Sequence, residues 1–178
     1  MPIYALGPHE PDIAESAFVH PDAVIIGRVR IGPEASVWPC AVLRGDHGAI
    51  EVGARTSVQD GTVVHTTRDW PTLIGADCVV GHNAHLEGCV VEAGCLIGSG
   101  SVTLNRARIG TGAIVAAAAL VLEGFEVPPG TLVAGVPATI KKTGLPAGVA
   151  AASVKSYIES ARRYQAELRR LDDPRKHD

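Results

Sequence analysis

The chain has 178 residues, enough for one domain of ordinary size but not for two. Hydrophobic residues make up 46% of it and aromatic residues only 4%, so its core must consist mainly of aliphatic side chains. The 16 basic and 19 acidic residues give a net charge of −3, which argues against nucleic acid or an anionic membrane as a partner.

The start of the chain and its apolar runs indicate whether the protein is exported or spans a membrane. Residues 1–4 lack the basic segment and apolar stretch of a signal peptide. The longest apolar run, Ala113–Leu122, is about half of the roughly 18 residues that a transmembrane helix needs. The sequence therefore predicts a cytoplasmic protein that does not span a membrane.

From about residue 13 to residue 135, aliphatic side chains recur every six residues, with a small residue two positions before most of them. Residues two apart in a strand point to the same side, so both kinds should face inward. Three short strands would complete one coil of about 18 residues, which predicts an all-β solenoid of about six or seven coils. The aliphatic positions are Val19, Ile25, Ile31, Val37, Leu43, Val52, Val58, Val64, Ile74, Val80, Leu86, Val91, Ile97, Ile109, Val115, Val121 and Val127.

The four cysteines do not form a disulfide framework or a paired metal motif. Cys78, Cys89 and Cys95 occupy small inward positions of the repeat, so we expect them to be packing residues. Cys40 should point outward, and the sequence leaves its role open.

The pattern changes after the repeats. Apolar residues at steps of three and four predict an amphipathic helix within Ala147–Leu171 that must dock on the solenoid. We therefore divide the chain into a β-helix domain with its N-terminal lead-in (1–140) and a segment with linker, helix and tail (141–178). Residues 172–178 are expected to form a frayed tail.

Three histidines lie where neighbouring coils can bring side chains together. In the repeat register Glu87 stacks on His65, and His85 shares the outward face of Glu87. His82 falls on another edge, so a cyclic trimer would be needed to pair it with His65 of a neighbouring copy. Imidazole is a common zinc ligand, and three donors with one open position suit a catalytic zinc site.

Several short motifs carry a family resemblance: Leu43-Arg44-Gly45-Asp46, Ser57-Val58-Gln59-Asp60-Gly61, His65, Val80-Gly81-His82 and Leu86-Glu87-Gly88-Cys89. Together they are similar to the γ-class carbonic anhydrases. This resemblance implies a left-handed parallel β-helix of hexapeptide repeats followed by a C-terminal α-helix. It also implies a homotrimer that hydrates CO2 to bicarbonate at zinc sites between its subunits.

The resemblance assigns a role to each candidate residue. His65 and His82 match two zinc ligands, the second donated across the interface. The third ligand position holds Glu87, so either His85 replaces it, with Glu87 supporting catalysis nearby, or Glu87 binds the metal. Zn²⁺ is the expected ion, and Fe²⁺ or Co²⁺ would also suit imidazole ligands.

Other matched positions lie around that site. The resemblance implies that Gln59 orients the zinc-bound hydroxide and that Tyr157, on the terminal helix, approaches the metal. Arg44 and Asp60 match an ion pair across the subunit interface, and Asp46 matches a nearby buried carboxylate.

Two other functions remain open from the sequence. The same solenoid serves CoA-dependent acyltransferases that use a histidine base between subunits, a role that His65 could fill. A non-catalytic metal-binding or assembly protein is the third possibility.

Overall fold

A parallel β-solenoid followed by one α-helix forms the computed structural model, which describes residues 2–172. Seven strands in successive coils, from β3 to β19, stack in one sheet that β20 extends at its end, and the other twelve strands form a second sheet that folds around a corner. The predicted β-solenoid followed by a C-terminal helix is confirmed. The strands are β1 (Ile3–Tyr4), β2 (Asp12–Ile13), β3 (Phe18–Val19), β4 (Val24–Ile31), β5 (Ser36–Val37), β6 (Val42–Val52), β7 (Ser57–Val58), β8 (Val63–His65), β9 (Thr72–Ile74), β10 (Val79–Val80), β11 (His85–Glu87), β12 (Val90–Val91), β13 (Leu96–Ile97), β14 (Val102–Thr103), β15 (Arg108–Ile109), β16 (Ile114–Val115), β17 (Leu120–Val121), β18 (Glu126–Val127), β19 (Leu132–Ala134) and β20 (Thr139–Lys142).

The strands line three faces of a triangular prism. Face I contains β8, β11, β14 and β17 with the first halves of β4 and β6. Face II contains β3, β5, β7, β10, β13, β16 and β19, and face III contains β9, β12, β15 and β18 with the second halves of β4 and β6. We call the turns between faces II and I the first edge (Pro39–Cys40, Asp60–Gly61, His82–Asn83, Ser99–Gly100) and those between faces I and III the second edge (Thr66–Pro71, Gly88, Asn105–Arg106, Glu123–Gly124).

The inward side chains form one continuous apolar core. The predicted aliphatic positions from Ile25 to Val127 are fully or almost fully buried. Cys78, Cys89 and Cys95 are buried as predicted, and Cys40 is exposed. Adjacent coils pack so closely that a Cβ on Gly98 would lie 2.3 Å from the backbone nitrogen of Ala117. The six-residue period therefore determines which side chains fill the interior.

Two long strands carry the backbone around the second edge without a break. β4 pairs with β6 along most of its length, and their register shifts between Gly27 and Val29. A Cβ on Gly45 would lie 2.5 Å from the carbonyl oxygen of Arg28, so this bend requires a residue without a side chain. The bend in β6 places Arg44 and Asp46 beside the histidine of β8.

The C-terminal helix α1 spans Ala151–Glu167, which is shorter at both ends than predicted. Gly148 has a φ of +77°, in the left-handed region, and the chain at Leu168 is already extended. α1 covers face II, where Val154 packs near Val79 and Ala161 packs near Trp38. The docking partner that the amphipathic pattern required is therefore face II.

The rest of the C-terminal region closes the end of the solenoid. β20 pairs antiparallel with β19, so residue 140, where the sequence divides the chain, lies inside a strand; that division itself stays a prediction. Between residues 2 and 172, no helix is both long and apolar enough to cross a membrane. The frayed tail is predicted for residues 172–178, and all of it beyond Asp172 lies outside the described residues.

Candidate functional site

A histidine and a carboxylate meet at the first edge. Asp60 and His82 occupy equivalent positions in successive coils, and His82 Nδ1 lies 2.9 Å from Asp60 Oδ2. Both side chains are 47% exposed. Within residues 2–172, His82 Nε2 has no hydrogen-bond partner. In the described part of the chain, the pair thus leaves one ring nitrogen without a partner while a carboxylate lies beside the other.

Helix α1 adds a tyrosine to this edge. The Tyr157 hydroxyl lies close to the side chain of Gln59, which is 4% exposed, and within electrostatic range of Asp60. Its ring contacts Trp38 edge-on, with centroids 5.6 Å apart. Burial and the charge of Asp60 raise the pKa of Tyr157 more than the Gln59 side chain lowers it, so the hydroxyl keeps its proton at neutral pH.

A second group lies on face I near the second edge, centred on His65. Its Nδ1 is 3.0 Å from Glu87 Oε1 and its Nε2 is 3.0 Å from Asp46 Oδ1. Glu87 lies directly opposite His65 on the adjacent strand, as the repeat register predicts. Both ring nitrogens of His65 therefore lie within hydrogen-bond distance of a carboxylate oxygen.

The two carboxylates in this group are ionised at neutral pH. Burial raises the pKa of Asp46, but hydrogen bonds from His65 and Arg44 outweigh that effect and keep the pKa below its usual value. Burial likewise raises the pKa of Glu87, and hydrogen bonds from His65 and His85 reverse the shift. His65 therefore lies between two negatively charged carboxylates.

The remaining predicted residues fall into these two groups. His85 Nε2 lies 3.4 Å from Glu87 Oε2, so His85 belongs with His65. Arg44 contacts Asp46 of its own chain, and the predicted pair of Arg44 and Asp60 across an interface stays a prediction. One chain does not bring His82 to His65, because they border opposite ends of face I.

The pairing of Asp60 with His82 was missed from the sequence. The two are 22 residues apart, which is also the separation of His65 and Glu87. That interval equals one coil plus the extra residues at Thr66–Pro71, so the pairing of Asp60 with His82 could have been predicted from the spacing. His47 was likewise missed: its ring lies 6.1 Å from that of His65.

Neither group lies in a deep cleft of the single chain. A cleft of about 420 Å³ lies between α1 and the turns of Glu34 and Asp77, and no histidine lines it. The candidate residues are instead on open edges of the prism, where a neighbouring molecule would be needed to enclose a substrate.

Comparison with known proteins gives strong matches. The chain is 35% identical to a Bacillus cereus protein provisionally classed as an acetyltransferase, whose crystal structure superposes with a TM-score of 0.90 over 93% of this chain and 98% of that one. A hexapeptide transferase family protein from Anaplasma phagocytophilum is 36% identical, with a TM-score of 0.87 over 92% of this chain and 98% of the other.

A curated relative matches over a shorter region. The carnitine operon protein CaiE of Escherichia coli is 40% identical over 110 residues, which cover 62% of this chain and 56% of CaiE. The chain thus spans about half the length of the curated relatives it matches. No family model matches the chain.

These findings correct the predicted enzyme. The two similar full-length structures are named as an acetyltransferase and a hexapeptide transferase, and neither as a carbonic anhydrase. The resemblance to the γ-class carbonic anhydrases is not confirmed, and hydration of CO2 as the activity is wrong. The motifs that carried the resemblance mark the coils and turns of this solenoid, which transferases share.

The predicted cofactor is also wrong. Within residues 2–172, no group of three or more His, Cys, Asp or Glu side chains is arranged to hold a metal ion, so the structure does not support Zn²⁺, Fe²⁺ or Co²⁺. His82 borders the opposite edge of face I from the group that contains His65 and His85, and both ring nitrogens of His65 lie within hydrogen-bond distance of carboxylates. Catalytic roles for Gln59, Glu87 and Tyr157 stay predictions.

The fold and the two full-length matches agree with one another. Both matching chains are covered almost completely at more than one third identity, with TM-scores of 0.90 and 0.87. The chain therefore belongs to the hexapeptide-repeat, left-handed β-helix family.

Proposed function

We propose that this protein transfers an acyl group from acyl-CoA to a small nucleophilic acceptor, with His82 as the general base. The observation that carries the proposal is the His82–Asp60 pair, which leaves Nε2 without a partner among residues 2–172. The names of the two similar structures, an acetyltransferase and a hexapeptide transferase, support the reaction class. The sequence made His65 the base of this alternative, but both nitrogens of His65 are engaged by carboxylates.

The His82–Asp60 pair suits a proton transfer in two directions. Asp60 orients the ring and stabilises its positive charge, while Nε2 takes the proton from the acceptor's hydroxyl or amino group. The acceptor then attacks the thioester carbonyl, and the carbon–sulfur bond breaks. His82 returns the proton to the sulfur of CoA, so the ring ends the cycle as it began.

We assign Tyr157 and Gln59 to the developing oxyanion. Tyr157 keeps its proton at neutral pH and carries it beside Asp60 on the same edge. Fixed donors placed where negative charge develops lower the barrier of acyl transfer. Gln59, which is buried against α1, holds the tyrosine hydroxyl in position.

The group around His65 has a structural role in this proposal. Arg44, Asp46, His65, Glu87 and His85 form a continuous set of ion pairs on face I. Such a set is stable when every member is paired, and removing one member leaves an uncompensated charge. We infer that it shapes the surface on which a neighbouring copy packs.

We infer a homotrimer from the contrast between the three faces. Face II is covered by α1, and face III presents charged residues such as Arg30 and Arg108. Face I instead presents an outward ladder of in-register side chains, five of which are apolar. The ladder consists of Val24, Val42, Val63, His85, Val102 and Leu120. A cyclic arrangement would bury it and enclose the open edges between copies.

Introducing charged residues into this ladder is expected to dissociate the proposed trimer. The double variant Val63→Glu, Val102→Glu should change the mass measured by light scattering from three chains to one, because the interface would bury two unpaired carboxylates. Val90→Glu, on face III, is the matched control and should remain trimeric. A double variant that stays trimeric would show that face I is not the interface.

The transfer reaction has a direct test. The protein is incubated with acetyl-CoA and a panel of small amines and alcohols, and free CoA and the acetylated product are measured by chromatography. We expect CoA release that depends on one class of acceptor and equals the product formed. If no acceptor gives product and acetyl-CoA leaves the melting temperature unchanged, the proposal fails. The cytoplasmic location stays a prediction.

A further inference from the structure

The loop Thr66–Pro71 is the main interruption of the six-residue repeat, since the aliphatic positions Val64 and Ile74 are ten residues apart. It places Trp70 on the second edge with 43% of its surface exposed. The Arg106 guanidinium lies 5.7 Å from the centre of the Trp70 ring, and Arg68 is exposed on the same loop. The Arg106 guanidinium also pairs with Glu123 Oε1 at 3.1 Å, so an exposed indole with one ion-paired guanidinium beside it is presented to solvent.

Backbone contacts hold this loop in place. The Thr66 hydroxyl donates a hydrogen bond of 2.8 Å to the carbonyl oxygen of Trp70, and the Thr67 N–H donates to the same oxygen at 3.2 Å. Gly88, with a φ of +58°, packs under it so tightly that a Cβ would lie 2.9 Å from Trp70 Cβ. The ring is therefore a preformed platform, which reduces the entropy lost when a ligand binds.

Polar atoms around the loop are not all satisfied. Within the described part of the chain, the buried Thr67 Oγ1 and Asn105 Oδ1 have no hydrogen-bond partner. Buried groups of this kind are uncommon in native proteins, and each one calls for an explanation. Thr67 belongs to the loop itself, and Asn105 packs against Gly88, which also contacts Trp70.

We propose that Trp70, Arg68 and Arg106 bind the adenine nucleotide end of the acyl-CoA substrate. This inference rests on the proposed function. The adenine ring stacks on the indole, because nucleobases pack favourably on aromatic side chains. The guanidinium groups contact the phosphates, which they match in charge and geometry. The net charge of −3 disfavours a longer nucleic acid on the same ring.

The position of Trp70 relative to His82 is consistent with one bound molecule. They lie at opposite edges of face I. In the proposed trimer, where face I packs against a neighbouring copy, the second edge of one copy and the first edge of the next border the same groove, so the pantetheine arm of CoA would run from Trp70 of one copy to His82 of the other.

Fluorescence titration of the full chain tests the inference, since Trp38 is buried and Trp70 is the exposed indole. The probes are CoA, adenosine 3′,5′-bisphosphate and pantetheine. We expect CoA and the bisphosphate, but not pantetheine, to quench the tryptophan emission. Trp70→Ala should abolish the quenching and weaken CoA binding, measured by calorimetry, about tenfold or more.

Matched variants separate stacking from a general loss of structure. Trp70→Phe should keep most of the affinity, because it retains an aromatic face. Tyr4→Ala removes another exposed aromatic side chain and should leave binding unchanged. Arg68→Gln and Arg106→Gln should each weaken the binding of the bisphosphate and reduce its dependence on salt.

The outcomes distinguish this inference from the proposed function. If acyl transfer occurs but Trp70→Ala binds CoA as tightly as the wild type, the nucleotide site is wrong and the transferase stands. If the bisphosphate binds through Trp70 but no acceptor is acylated, the site stands and the transferase fails. If neither CoA nor the bisphosphate binds the wild type, both are overturned.

Discussion

Replacing His82 by alanine is expected to lower the rate of acyl transfer by a factor of about 10² to 10⁴, the range typical of a lost general base. The Km for acetyl-CoA should change little, because the ring acts on the acceptor's proton and not on CoA binding. The measurement is a steady-state assay of product formation for wild type and His82→Ala, with metal chelator present in both.

Two further variants test whether the loss of activity comes from the His82–Asp60 pair. Asp60→Asn should give a smaller loss, since it removes the charge that orients and stabilises the ring but leaves Nε2 in place. His9→Ala alters an exposed histidine that contacts Arg28 far from the first edge, and it should retain full activity. If His65→Ala abolishes transfer while His82→Ala does not, the base is His65 and the assignment of His82 is wrong.

Replacing Ile97 by alanine is expected to destabilise the fold by about 2 to 5 kcal/mol. Ile97 is fully buried in the central coils, where it stacks between Val80 and Val115 on the adjacent strands. Removing its branched side chain opens a cavity that the tightly stacked backbone is unable to close. The effect should extend to neighbouring coils, because each coil is stabilised by the ones on either side.

Denaturant unfolding followed by circular dichroism measures this loss. Ile140→Ala is the matched control, because the same side chain is 49% exposed on β20. It should change the free energy of unfolding by less than about 0.5 kcal/mol. Wild type and variants are compared at one protein concentration, since association contributes to stability. Equal losses for the two variants would contradict the core assigned to the six-residue repeat.

The architecture could be predicted because it depends on local rules. The repeat has an aliphatic residue at every sixth position and a small residue two places before it. This pattern favours one arrangement, in which three short strands joined by turns form each coil. The burial of Leu86, Ile97 and Cys95 follows from this register. The boundaries of α1 were less accurate, because a pattern of apolar residues does not show where Gly148 and Leu168 end the helix.

Parts of the candidate site followed from the same register. Stacking of Glu87 on His65 could be derived, since both positions are counted along the repeat. The contacts between charged side chains, which decide the chemistry of these two residues, could not be derived from the repeat. Asp46 reaches His65 only because β6 continues around a corner, and the histidine motif therefore suggested a metal site where the structure has ion pairs.

The sequence by itself determined the solenoid, its core and the presence of a docking helix, because the repeat period and the amphipathic pattern are properties of neighbouring residues. Only the tertiary structure decided that α1 covers face II and leaves the face I ladder bare. It also decided that His82 pairs with Asp60 while His65 is held between two carboxylates. These contacts join positions on different coils and elements, and their geometry depends on bends and turns that the periodic pattern does not encode.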